Sequence, residues 1–147
     1  MNFNEDGLSE QIHQLNMLQQ QYVLRKLRGL SLNSKQARSL NYIFAHPGTI
    51  QKGLSTFLGT QDATVTNILK SLETKGLIRR EIPADNERQK RLFLTDKGED
   101  SARKIQFFFS ELNKAITENL TADEQNEMSV LLEKMGQSLT KEARSES

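Results

Sequence analysis

The chain has 147 residues, 35% of them hydrophobic, with no cysteine and a formal net charge of +1. That length suits one domain with its own core, the low apolar share invites self-association, and the missing thiols exclude disulfides, thiolate nucleophiles and Cys-ligated metals. The near-neutral total hides a gradient, since residues 11–104 hold 16 of the 20 basic and 8 of the 19 acidic residues while both flanks are acidic; such a middle is either an electrostatic footprint for a polyanion or a set of solvated basic faces.

Residues 1–10 are polar and acidic, and no segment reaches the ~20 apolar residues that span a bilayer, so the chain reads as soluble and cytoplasmic. A first helix is predicted over about 8–28 from Leu8, Ile12, Leu15, Leu18, Tyr22 and Leu27, with Gly29 as its stop. A second spans 34–45 with Ala37, Leu40, Ile43 and Phe44 on its apolar side and Asn33 as its cap. His46-Pro47-Gly48 cannot continue it. A short third helix covers 51–58, with Leu54, Phe57 and Leu58 expected inward.

Gly59 and Thr60 then turn the chain into a fourth helix over 61–75. Val65, Ile68, Leu69 and Leu72 form one stripe along it, leaving Asp62, Thr66, Asn67 and Lys70 on the outer face. Helices three and four thus make a helix-turn-helix unit. Gly76 ends the fourth helix, Leu77 to Ile82 reads as a strand broken by Pro83, and Arg91 to Leu94 reads as a returning strand. Between them lies a charged, basic tip. Thr95 caps a long helix over 96–119, in which Phe107, Phe108 and Phe109 spread over more than half the circumference. One domain cannot cover all three rings, and a second copy of the chain is the simplest cover. Thr121-Ala122-Asp123-Glu124 is a capping box opening a last helix that bears Met128, Leu131, Leu132, Met135 and Leu139. The fold class is therefore mostly α with a small β-hairpin wing: one domain with a winged helix-turn-helix lobe at 33–95 between dimerisation helices at 8–28 and 96–140.

With these motifs in order the sequence resembles the MarR family of bacterial transcription regulators. The resemblance rests on Ala63-Thr64-Val65-Thr66, on Leu72-Glu73-Thr74-Lys75-Gly76-Leu77-Ile78-Arg79-Arg80, and on Leu94-Thr95-Asp96-Lys97-Gly98. It implies a homodimer that binds double-stranded DNA as a ligand-responsive repressor. The family's wing carries an Asp-x-Arg triplet whose arginine enters the minor groove, and here the matching residues are Asn86-Glu87-Arg88. Asn86 can orient Arg88 only by a neutral hydrogen bond unless Asp85 substitutes. Gly53, where the family favours a helix former, costs roughly 1 kcal/mol relative to alanine and implies a looser third helix.

DNA binding needs phosphate neutralisation for affinity and base-edge contacts for choice. Asn67 suits adenine, Thr64 and Thr66 suit bases, phosphates or a thymine methyl, and Lys70 suits guanine or phosphate. Gln61 and Asp62 stand at the helix end that enters the major groove, where Asp62 either accepts from cytosine or only stabilises the helix dipole. Arg88, Lys90 and Arg91 make a positive wing tip, or ordinary solvated hairpin charges. Asn33, Ser34 and Lys35 can grip a phosphate at a helix N-terminus, although capping alone explains the first two equally well.

His13 and His46, the only imidazoles, stand in no ligand-spaced cluster, so no metal or cofactor is required. No nucleophile, base and acid ordering or phosphate-cradling loop points to an enzyme. The family resemblance implies a small aromatic or phenolic effector in a crevice, near which Tyr22, Tyr42 and Phe44 are available without being placed there. The competing reading is a winged-helix module that binds another protein and no specific DNA.

Overall fold

Apolar residues three and four apart build most of the chain into helices, and the structure, a computed structural model, describes residues 7–84 and 89–146. The chain divides into two units, Met1–Leu112 and Asn113–Ser147. In the first, α1 (Leu8–Leu27) runs into a 3-10 turn, Arg28–Leu30, followed by α2 (Ser34–Ala45), β1 (Thr49–Ile50), α3 (Gln51–Leu58) and α4 (Asp62–Thr74). Strands β2 (Ile78–Glu81) and β3 (Arg91–Leu94) come next, then α5 (Asp96–Thr117).

The core joins these elements through Leu27 of α1, Leu40 and Ile43 of α2, Leu54 of α3, and Leu69 and Leu72 of α4, all essentially inaccessible to solvent. Each such side chain contributes roughly 1.5–3 kcal/mol by leaving water. The stripe Val65, Ile68, Leu69 and Leu72 is buried along its length, as its spacing requires. Leu92 of β3 and Ile105 of α5 close the core from the wing and from the long helix.

Two expectations about helix ends are corrected. Gly29 does not stop α1; it lies inside the 3-10 turn, and the left-handed residue is Ser31, at φ 54. The tightened turn brings Leu32 into the core and lays Leu30 against it, a gain in burial that a local reading of Gly29 does not register. Phe57, expected inward, is 42% exposed, because its ring stacks on Tyr42 at the lobe surface.

The wing has a third strand. The sheet order is β1-β3-β2, all antiparallel, with Thr49 opposite Leu92 and Ile50 opposite Arg91 on one side of β3, and Arg79 opposite Phe93 and Glu81 opposite Arg91 on the other. Across the second ladder the Arg79 guanidinium lies 4.8 Å from the Phe93 ring centre, a cation–π pair, while also pairing with Glu81.

Thr95 joins the wing to α5. Its hydroxyl accepts from the Gly98 backbone N–H at 3.1 Å and donates to the Gly76 carbonyl at 2.6 Å, while its backbone N–H donates to the Leu77 carbonyl at 3.1 Å. Gly98 is needed there for space, since a Cβ would stand 1.9 Å from the Leu77 oxygen. Gly53, expected only as a cost to α3, also has a packing role: a Cβ would meet the Thr49 hydroxyl at 2.9 Å and the Tyr42 hydroxyl at 3.2 Å.

The second unit begins in the last turns of α5 and consists mainly of α6 (Ala122–Ser145). The capping box is present, with Glu124 N–H donating to the Thr121 hydroxyl at 3.2 Å and Thr121 N–H donating to the Glu124 carboxylate at 3.1 Å. No residue of α6 is buried, and Leu131, Leu132 and Leu139 are exposed.

Candidate nucleic-acid interface

Helix α4 has one face in the core, so its remaining polar side chains form a solvent face whose chemistry depends on what already binds them. Gln61 is the N-cap residue and makes no side-chain capping bond; it, Asp62, Thr64, Asn67 and Lys70 are exposed, and Thr66 is half-buried. Two of these groups are occupied. The Asp62 carboxylate accepts from the Ser55 hydroxyl at 2.7 Å, and the Thr66 hydroxyl donates to the Asp62 carbonyl at 2.9 Å while accepting from the Gln51 amide at 2.9 Å. These bonds hold α3 against the first turn of α4. Gln61, Thr64, Asn67 and Lys70 are left as the exposed side chains suited to a groove floor or a phosphate.

At the start of α2 the Asn33 carboxamide accepts from Gln36 N–H at 2.8 Å, and Gln36 Oε1 accepts from Asn33 N–H at 3.1 Å. Asn33 is thus a capping residue. Ser34 is half-buried and Lys35 exposed, both in the first turn of α2, at the helix end whose partial positive charge favours an anion. Gln36, itself buried, also donates to the Ser71 hydroxyl at 3.0 Å and so ties α2 to α4.

Asn86 and Arg88, with Asp85 and Glu87, lie outside the described residues. Lys90 and Arg91 are exposed at the base of the wing, and the Arg91 guanidinium reaches the Gly48 carbonyl at 3.5 Å. Beside them is a groove of about 360 Å³ lined by Ile50, Gln51, Lys52, Arg80, Gln89, Lys90 and Leu92. Three cations, Lys52, Arg80 and Lys90, converge there, and Arg80 is shared with Glu73 at 3.0 Å. Neither Lys52 nor Arg80 stands out in the sequence. Lys52 is one base in an acid-free run and Arg80 one of a strand pair, and only the pairing of β3 with both β1 and β2 puts them beside Lys90.

The aromatic candidates have other neighbours. Tyr42 stacks on His46 at 4.4 Å and on Phe57 at 4.7 Å, with the Arg38 guanidinium 5.0 Å from Phe57. Tyr22 lies beneath Arg25 and Lys26 of its own helix, and Phe44 is half-buried. Among the described residues no three His, Asp or Glu side chains are grouped to hold a metal, and no helix is long and apolar enough to cross a membrane.

Residues 32–90 match the model of the MarR family. Among solved structures, the complex of MepR from S. aureus with DNA resembles this chain with a TM-score of 0.85 at 28% identity, covering 92% of this chain and 99% of that one. Wild-type MarR from E. coli in its apo form resembles it with a TM-score of 0.72 at 25% identity, over 88% of this chain and 97% of that one. The transcriptional regulator SlyA shares the fold, with a TM-score of 0.85 at 22% identity over 93% of this chain and 96% of that one.

Proposed function

We propose that this chain, whose residues 32–90 match the MarR family model, is a homodimeric repressor that binds a pseudo-palindromic site in double-stranded DNA. The observation that carries the reading is the solvent face of α4, where Thr64, Asn67 and Lys70 stand exposed opposite a fully apolar stripe. Asn67 reads adenine, Thr64 contacts a base or phosphate, and Lys70 meets guanine or phosphate. Lys35 and the basic groove at the wing supply phosphate contacts, and Arg88 enters the minor groove. The S. aureus MepR structure with DNA supports the same use of this fold.

Dimerisation is supported by apolar side chains left at the surface of three helices: Leu8 and Ile12 on α1, Phe107 and Ile116 on α5, and Leu131 and Leu139 on α6. A second copy covers such faces at no cost in new sequence. Two α4 helices then meet half-sites about one helical turn apart. A small aromatic effector releases the DNA only to the extent that it binds one arrangement of the lobes better than the other.

Selection of bound fragments from a random DNA pool by the purified protein, followed by a salt titration on the winner, tests the reading. Recovery of an inverted repeat, with log affinity falling by about 0.9 per phosphate neutralised for each unit of log salt, is expected. No enrichment by a folded dimer at low salt overturns it in favour of a protein-binding module.

A further inference from the structure

We propose that Lys75 is a positioning residue that sets the direction of α4 relative to the roots of α1 and α5. The residue is the C-cap of α4, where carbonyl groups lack helical partners and a cation is favoured by the helix dipole. Its ammonium does not turn to solvent. Nζ donates to the Ser31 carbonyl at 2.6 Å and approaches Gln36 Oε1 at 3.4 Å.

Ser31 is the only non-glycine residue with positive φ among those described, and it ends the turn that follows α1. A left-handed serine persists only where its surroundings hold it, and the Lys75 ammonium is the partner at its carbonyl. The backbone of the same lysine is held from the other side. Its carbonyl accepts from the Lys97 ammonium at 3.0 Å, and the neighbouring Gly76 carbonyl accepts from the Thr95 hydroxyl at 2.6 Å. Lys97 belongs to the first turn of α5. One residue at the end of α4 is therefore bonded through its side chain to the end of the 3-10 turn that follows α1 and through its backbone to the start of α5. A helix end fixed from two elements cannot swing against either without breaking a charged hydrogen bond.

The consequence for DNA rests on the reading proposed above, whereas the joint itself can be measured without DNA. The chain has no cysteine, so Gln20→Cys on α1 and Ala63→Cys on α4, both exposed, allow a spin-label pair to be placed in an otherwise unchanged protein. With the labelled chain diluted in unlabelled chain, pulsed electron resonance should give one narrow distance distribution. Lys75→Met should broaden it, Lys75→Arg should restore it, and circular dichroism should show both variants folded.

On the selected operator, Lys75→Met should lower affinity about tenfold at the preferred half-site spacing and less at spacings changed by one base pair, with the salt slope unchanged. An unchanged distance distribution in folded Lys75→Met overturns the proposal, as does a loss confined to one phosphate's share of the salt slope. Should Lys75→Met fail to fold, Lys75→Gln, which loses the charge and the reach, decides by the same distances: broadening supports the joint, and no change removes it. Failure of the wild type to select any DNA sinks the DNA-binding reading and leaves the label distances to judge the joint.

Discussion

The Gln51 carboxamide donates to the Thr66 hydroxyl at 2.9 Å, and that hydroxyl donates onward to the Asp62 carbonyl at 2.9 Å. The chain of bonds begins at the first residue of α3 and ends in the first turn of α4, so the two helices of the helix-turn-helix are joined by polar contacts as well as by Leu54 and Leu69 in the core. Thr66 is accordingly part of the scaffold that aims α4.

Gln51→Ala should lower stability by about 1 kcal/mol, the net worth of a typical hydrogen bond of this kind. Urea unfolding should show a lower midpoint with an unchanged slope, because the surface exposed on unfolding stays the same. DNA affinity should fall at every sequence alike, since what is lost is the aim of α4 and not a base contact. A change in base preference would contradict that role.

Asn67→Ala should behave in the opposite way. The side chain is exposed and its removal leaves the fold intact, so the melting temperature should hold. Discrimination at one base position per half-site should fall by about 1–3 kcal/mol, the value of a bidentate amide–adenine contact. Binding to operators substituted at single positions measures it directly.

Gly98→Ala should be among the most damaging small substitutions. The added methyl would stand 1.9 Å from the Leu77 carbonyl oxygen, a backbone atom that cannot rotate away. A loss of about 3 kcal/mol is expected, at the upper end for overpacking. Gly53→Ala should cost much less, because the hydroxyls of Thr49 and Tyr42 that it meets lie at the ends of side chains. Thermal unfolding of the two variants side by side makes the comparison.

Helix α6 should respond to acid at its first turn. The Thr121 backbone N–H, and then the Thr121 side chain, hold the Glu124 carboxyl below its ordinary value of 4.5. The folded end therefore takes up a proton less readily than the unfolded chain. Its stabilising effect is complete above the unfolded value and fades as the pH falls through the lowered one. Carbon chemical shifts of residues 122–126, followed between about pH 6 and 3, should report fraying in the wild type that is absent in Glu124→Gln. A flat profile in the wild type would show that the box adds nothing there.

Much of this architecture is legible residue by residue because it is local. Asn33, Thr95 and Thr121 cap helices through bonds to backbone N–H groups three residues on, and the limits of α2, α3 and β3 follow from caps and spacing. What escapes such a reading is set at a distance. Thr49 and Ile50 are a strand only because Leu92 and Arg91 pair with them. Gly29 is expected to stop α1, but the left-handed residue is Ser31, next to Leu32, which enters the core. On α4 the pattern marks Asp62 and Thr66 as outer-face residues, yet Ser55 and Gln51 on the preceding helix already bond one Asp62 carboxylate oxygen and the Thr66 hydroxyl.

The short strand β1 carries one further consequence. Ile50 is at once its last residue and the N-cap of α3, and Gly48 N–H donates to the Leu92 carbonyl at 2.8 Å just before it. The wing is therefore bolted to the leading end of the helix-turn-helix with no slack between them. On the proposed function, α4 and the root strands of the wing, β2 and β3, are presented to DNA as one piece, like two pins of one plug. A duplex of the right sequence but the wrong groove geometry can seat one pin only, and an effector that tilts the lobe withdraws both together.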